Sequence, residues 1–284
     1  MQRAQSSSSF DRLGPAVPAH PVILSVPHGG RAYPQALLDN LRVPAGQLQA
    51  LEDRCIDAVA QVARGDCVTL IARRPRAWID LNRAETDRDP GIELGLSRHA
   101  VANASAKVRA GLGLVPRRVG TSGDLWASRW PLGEIDARIR NDHRPYHHAL
   151  ADAIDAAQRR FGIAILLDLH SMPPLTGEAP ARIVIGDRFG KTAHPRFVAA
   201  IEREVRGHGH RLALNAPYAG GHILDRHAAP KAGIHAIQLE LDRSLYLDAA
   251  LDQPGSGLAA TVDLVRAVIA ALADEACPRA IAAE

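Results

Sequence analysis

Lysine is nearly absent from this chain of 284 residues: Lys107, Lys191 and Lys231 are its only lysines, and every other basic residue among the 34 is arginine. Arginine is the better fork for carboxylates and phosphates. Here the arginines are scattered among 31 acids at a net charge of +3, without the dense run or aromatic spacing of a nucleic-acid binder. Nucleic acid is therefore a disfavoured partner. Cysteine is equally scarce. Cys55, Cys67 and Cys277 are too few and too odd in number for a disulfide framework, so a reducing, cytoplasmic setting is the simplest reading. No apolar run approaches the ~18 residues of a membrane-spanning helix. The opening MQRAQSSSSFDRLGPAVPAH lacks an apolar signal core and reads as a loose tail over residues 1–20. Glycine and proline are near ordinary usage, which sets aside fibrous and disordered classes. Absent too are a GxSxG elbow, a GxxxxGK[ST] loop, a strand–GxGxxG–helix unit and any CxxC pair.

What is present is enough apolar material, 46% of residues, for one large domain over residues 21–284. Short apolar runs alternate with helical patterns, the signature of an α/β domain. Strands are expected at Val22–Val26, Cys67–Ala72, Ala77–Leu81, Ile163–Leu169, Arg182–Ile185, Arg211–Leu214 and Ile234–Leu241. Helices are expected at Pro34–Asp39, Gln47–Ala63, Leu132–Arg160 (kinked or divided by Pro145), His194–Gly207 and Gly257–Ala273. The stretch 84–130, rich in glycine and turn residues, reads as a lid or insertion. Thirteen histidines point toward a metal or proton-transfer site.

Several strands end in chemistry, and ligand sites in open α/β sheets lie outside the carboxyl ends of strands. Val22–Val26 runs into Pro27-His28-Gly29-Gly30, and Ile163–Leu167 into Asp168-Leu169-His170. His28 is a candidate metal ligand rather than a mere turn cap. His170 is a second, with Asp168 two residues earlier on the same strand face to orient it. Hydrolytic zinc sites take three protein ligands. The third is expected to be a carboxylate, Asp53 or alternatively Glu52, unless these acids are only the solvated face of a helix. Glu240, inside an apolar strand, is either ion-paired, with Arg243 as the obvious partner, or tuned as a general base. Arg76, Asn82 and Arg83 supply forks and an amide for an anionic substrate and a developing oxyanion. His143, His147 and His148 share one helical stretch; His143 and His147, four apart, could bind metal, but with no HExxH acid beside them a solvated face is expected. Cys55 reads as a small core residue inside a helix.

In these segments the chain resembles the N-formylglutamate amidohydrolase family. The matching residues are Ser25–Gly30, Glu52-Asp53 with Asp57, Arg76–Arg83, Gly111–Arg117 and Arg144-Pro145-Tyr146-His147. They continue through Asp168–Pro173, Gly186–Arg188, Pro217-Tyr218-Ala219-Gly220-Gly221 and Gln238–Glu240 with Arg243–Tyr246, in family order from about residue 21 to 250. The resemblance implies a three-layer phosphorylase/hydrolase-like fold, with a mixed central sheet flanked by helices, similar to zinc carboxypeptidases and aspartoacylase. It implies one Zn2+ per chain on His28, His170 and a carboxylate, and a link with histidine degradation. It also implies Glu240 and Arg76 as catalytic groups, and Asn82, Arg83, Arg144, Gly220 and Gly221 at the substrate. The HxxE pattern of carboxypeptidases is broken, because Arg31 occupies its acid position, and Asp53 is the choice for the metal carboxylate.

The reaction expected is hydrolysis of the formyl amide of N-formyl-L-glutamate. Zinc would activate water and the formyl oxygen, Glu240 would move the proton, and Arg76 would face the oxyanion. Asn82 and Arg83 would clamp one substrate carboxylate, with Arg138 or Arg144 as candidates for the other. A related zinc amidase or carboxypeptidase acting on another N-acyl amino acid or peptide is the alternative, and a non-catalytic binder of the same fold a more distant one. The partner is a small anionic N-acyl amino acid, with no nucleic acid or membrane; oligomeric state is open.

Overall fold

The computed structural model describes residues 8–96, 105–120 and 122–277. Parts of the expected tail (1–7) and of the 84–130 stretch (97–104 and 121) lie outside the described residues. Seven strands build the central sheet: β1 (Phe10–Leu13), β2 (Val22–Val26), β3 (Val68–Ala72), β4 (Ala164–Met172), β5 (Ile183–Gly186), β6 (Leu212–Leu214) and β7 (Ile234–Asp242), in the order β1-β3-β2-β4-β7-β5-β6. β3, β2, β4 and β7 are parallel, β1 is an antiparallel edge, and the parallel pair β5–β6 runs against β7. The sheet is mixed, as expected.

The helices of the described residues are α1 (Gln35–Asp39), α2 (Ile56–Ala63), α3 (Leu132–Arg138), α4 (Arg144–Phe161), α5 (Pro195–Gly207), α6 (His222–His227) and α7 (Leu258–Ala276), with a further short turn of helix at Ala106–Arg109. The strands are apolar on both faces because both faces are covered. Val22, Leu24, Val26, Ile165 and Leu167 pack into one core with α2, α5 and α7. Ile23, Leu70, Leu166 and Ala236 pack into a second with α4 and the segment around 77–130. The result is three layers. No helix among the described residues is long and apolar enough to cross a membrane.

Three local expectations fail for physical reasons. Phe10–Leu13, placed in the loose tail, pairs with β3 and closes that edge. Ala77–Leu81 is not a strand but a series of turns, with Trp78 N–H bonded to Pro75 O (2.8 Å) and Asp80 N–H to Leu114 O (2.7 Å). Its apolar side chains are buried in the second core rather than in the sheet. The helix expected over Gln47–Ala63 is broken. A 3-10 turn, Ala45–Leu51, ends before Glu52, and Cys55 takes a left-handed backbone (φ 56°) ahead of α2, so Cys55 caps a helix instead of lying inside one. The helix expected over Leu132–Arg160 is divided just before Pro145 into α3 and α4, by a π-turn at Ile139–His143 that opens the hydrogen-bond ladder where proline brings no N–H. The described part of the stretch 84–130 packs as a layer against the sheet. Ile92, Leu114, Val115, Leu125, Trp126 and Trp130 are all buried in the second core. In that layer Arg138 is sandwiched between the Trp78 and Trp130 rings (3.5 and 3.9 Å to the centroids) and donates to Trp78 O (3.1 Å), so it is not available to a substrate.

His235, near the start of β7, lies 4.7 Å ring to ring from Phe197 and accepts the His194 backbone N–H (3.3 Å). Burial, then the neighbouring Arg196 and His194, pull its pKa from 6.5 down to about 4. A histidine with a depressed folded pKa contributes stability above its ordinary pKa and loses it as pH falls toward the folded value. The melting temperature should therefore drop more between pH 6.5 and pH 4 in the wild type than in His235→Gln. Each 1 kcal/mol is worth roughly 2–4 °C in a domain of this size class. Parallel thermal-denaturation curves for the two proteins would refute this.

Candidate active site

Strand register assembles the site. Ser25 of β2 stands opposite Asp168 of β4, which stands opposite Gln238 of β7; two residues further along, on the same face, His170 stands opposite Glu240. His28 follows two residues after β2 ends. All of these lie at the carboxyl ends of parallel strands, where open sheets hold their ligands.

His28, Asp53 and His170 meet there, each buried and each offering one ligand atom, with those atoms within 4.8 Å of one another. Both imidazoles are held from behind by carboxylates. His28 Nε2–H donates to Asp80 Oδ1 (2.8 Å), and His170 Nε2–H donates to Asp168 Oδ2 (2.8 Å). Ser25 Oγ–H fixes the other oxygen of Asp168 (2.7 Å). The Nδ1 atoms consequently face inward, that of His170 at 2.9 Å and that of His28 at 3.6 Å from Asp53 Oδ2. His28 Nδ1 is buried without a hydrogen-bond partner. Two imidazole nitrogens and a carboxylate converging on one point could hold a cation among them. A two-histidine, one-carboxylate set whose far nitrogens are bonded to carboxylates fits a divalent transition ion.

Asp53 reaches this point because the helix is interrupted at residues 52–55. Its backbone N–H bonds His28 O (3.1 Å), tying the loop to the end of β2. Burial pushes its carboxyl up, but the His170 and His28 rings beside it outweigh burial and hold it well below the usual carboxylate range. Glu52 is turned elsewhere, accepting from the Tyr33 hydroxyl and from Arg54 Nη1. The geometry thus favours Asp53 over Glu52. Asp57 pairs with Arg31 (2.8 Å) and is not part of the group.

Glu240 is 6% exposed, and Gln238 Nε2 donates to it (2.8 Å). Burial, with the charge of Asp53 adding to it, raises its pKa to about 7 despite His170 and Arg76. Arg243 does not pair with it. That guanidinium donates to Glu52 O and to Ser171 Oγ (3.2 Å) and lies 3.5 Å from Asp53 Oδ1. Arg76 donates to Asp80 Oδ2 (2.8 Å).

Asn82 lies against the group, its Nδ2 3.4 Å from His170 Nε2, and its Oδ1 accepts the Ile223 N–H (2.9 Å). Arg83 donates to Leu112 O (2.9 Å) and Asn82 O (2.8 Å). Gly220 and Gly221 serve close packing: a Cβ on Gly221 would lie 2.5 Å from Asn82 Oδ1, and one on Gly220 (φ +99°) would lie 2.5 Å from Leu224. Arg144 is not brought to the group. It forms a surface pair with Glu85 (2.8 Å). Sequence reasoning gave no role to Asp80 or Gln238. Asp80 was hidden by reading its turn as a strand, whereas Gln238 stands to Glu240 as Asp168 stands to His170, two residues back on one face. His143 and His147, expected on a solvated face, are wholly buried. The stripe Tyr146, His147, Leu150, Ile154 is the signal that marks His147 as inward.

A three-layer α/β sheet that gathers two histidines, a carboxylate and a buried glutamate off its parallel strand ends defines a hydrolytic enzyme. The family model described as N-formylglutamate amidohydrolase matches residues 20–247, and the chain belongs to that family of amide hydrolases. It is 28% identical over 239 residues to the N-formylglutamate deformylase of Pseudomonas putida, covering 80% of this chain and 82% of that one. To the N-formylglutamate deformylase of Pseudomonas aeruginosa it is 25% identical over 242 residues, with the same coverage. The crystal structure of an N-formylglutamate amidohydrolase from Ralstonia eutropha JMP134 superposes with a TM-score of 0.85 at 29% identity, covering 95% of this chain and 98% of that one. A gene product of Agrobacterium tumefaciens shares the fold at a TM-score of 0.69 and 18% identity, covering 94% of this chain and 95% of that one.

The Gly221–Asn82 contact is directly testable. Gly221→Ala should displace the Asn82 amide, costing about 1–3 kcal/mol of stability and lowering turnover by up to about 10²-fold through misplacement. Gly46→Ala, where a Cβ meets nothing within 4 Å, should leave both unchanged. Equal activities for the two variants, measured by steady-state kinetics, would remove the packing argument.

Proposed function

We propose that the protein hydrolyses the formyl amide of N-formyl-L-glutamate to formate and glutamate, with Zn2+ held by His28, Asp53 and His170. The observation that carries this reading is Glu240. In a chain of this family, it is a buried carboxyl raised to about 7, paired across the ladder with His170, beside a group of donors suited to a divalent ion.

Zinc held there would supply Lewis acidity to the formyl carbonyl and acidify the attacking water. Glu240, poised near neutrality, accepts the proton of that water and passes it to the departing amine nitrogen. Gln238 keeps the Glu240 carboxylate aimed. Arg76, oriented by Asp80, faces the charge that develops on the carbonyl oxygen. Asn82 and Arg83 bind a substrate carboxylate. Of the two candidates for the second carboxylate, Arg138 is enclosed by Trp78 and Trp130, which leaves Arg144, once released from its surface pair with Glu85. The cytoplasm, where an N-acyl amino acid intermediate would be met, is the compartment this reading calls for.

Formate release from N-formyl-L-glutamate should be abolished by chelation and restored by zinc. Glu240→Gln should retain the metal and lose about 10²–10⁴ in kcat, and Arg76→Ala about 10²–10³. A fully active, metal-loaded Glu240→Gln would sink the assignment of the base. Turnover of N-acetyl-L-glutamate without formate release from the formyl substrate would move the acyl preference elsewhere.

A further inference from the structure

A second cluster of imidazoles lies behind the Asn82–Arg83 segment and shares no residue with the first group. His143 Nε2 bonds Arg83 O (2.8 Å) and His147 Nε2 bonds Leu81 O (3.0 Å). A carbonyl oxygen only accepts, so both Nε2 atoms carry the protons and both Nδ1 atoms are bare lone pairs. His143 is wholly buried, and its Nδ1 has no hydrogen-bond partner. His222, on α6, turns an Nε2 toward the same place that is likewise buried and without a partner. His147 Nδ1 accepts from His227 Nε2–H (2.9 Å). One ligand atom each from His143, His147 and His222 lies within 4.8 Å of the others.

We propose that His143, His147 and His222 form a second metal site, one that takes a borderline divalent transition ion such as Zn2+ and fastens α4 and α6 to the Leu81–Arg83 segment. Three neutral imidazoles suit such an ion, and Nε2–H bonds to backbone carbonyls are the usual way a ligating histidine is oriented. Burial, the largest influence on each, lowers the pKa of all three and that of His227, which keeps the lone pairs available. The ion takes over the lone pair of His147 that His227 now occupies. Glu85 Oε1, 3.8 Å from His143 Nδ1, is a carboxylate for a fourth position if it leaves its pair with Arg144. Arg226 opposes a cation here, while Asp87 and Asp225 favour one. Because Ile223 N–H donates to Asn82 Oδ1 next to His222, an ion at this site stiffens the segment that binds the substrate carboxylate, without touching the reacting atoms.

The test is to titrate metal-free protein with Co2+, following the ligand-field absorption, and to count bound Zn2+ in the wild type, His170→Ala, His222→Ala and the double variant. Two equivalents are expected in the wild type, one in each single variant and none in the double. His222 is only half-buried on a short helix, so its replacement leaves the fold intact, which the melting curve of the metal-free form checks. His143→Gln repeats the test at the buried position. A single wild-type equivalent that is lost with His222→Ala and kept in His170→Ala supports this site while overturning the first one. Unchanged stoichiometry in His222→Ala, or one wild-type equivalent lost only with His170→Ala, overturns the proposal.

Discussion

Asp53 presses a carboxylate between two imidazoles whose outer nitrogens are already taken by Asp80 and Asp168. Burying that many charges at one end of a sheet is costly unless each finds a partner. The surrounding structure is organised to supply them: Arg76 on Asp80, Ser25 on Asp168 and Arg243 beside Asp53. The interruption of the helix at residues 52–55 belongs to the same requirement. A continuous helix would carry Asp53 past on a regular face, whereas the broken one lets its N–H bond the carbonyl of His28. The two are thereby fixed to each other through the backbone as well as through their side chains.

The ladder supplies the rest. In a parallel sheet a one-residue slip sends a side chain to the opposite face. The pairing of Ser25 with Asp168, Asp168 with Gln238 and His170 with Glu240 is therefore a constraint on chemistry as much as on packing. The apolar residues between these polar rows, Leu167, Leu169, Ile237 and Leu239, are fully buried in the first core. That packing locks the register, so the positions of the ionisable groups are set by side chains that take no part in binding anything.

Much of this was written in the chain. Continuous apolar runs gave the parallel strands, with β2 falling on Val22–Val26 as expected, and the polar residues at their ends gave His28, His170 and Glu240. What the periodicity could not show was anything decided by tertiary partners. Ala77–Leu81 has the composition of a strand, yet it turns because no strand is there to pair with and the second core accepts its side chains. Phe10–Leu13 follows a polar opening and becomes a strand only because β3 offers an open edge. Arg144, in a motif shared with the family, is held at the surface by Glu85, a contact between residues far apart in the chain. His143 and His147 read as polar and therefore exposed; the π-turn that ends at His143 and the carbonyls of Arg83 and Leu81 draw both inside.

The packed layer beside the site has an optical corollary. The three tryptophans of the chain all lie in it, with Trp78 6.1 Å and Trp126 5.5 Å from Trp130, ring to ring. None lies in the core formed with α2, α5 and α7. Intrinsic fluorescence thus illuminates one face of the sheet and leaves the other dark. The Arg138 guanidinium wedged between two of the indoles makes that emission a built-in gauge of whether the layer behind the Asn82–Arg83 segment is closed.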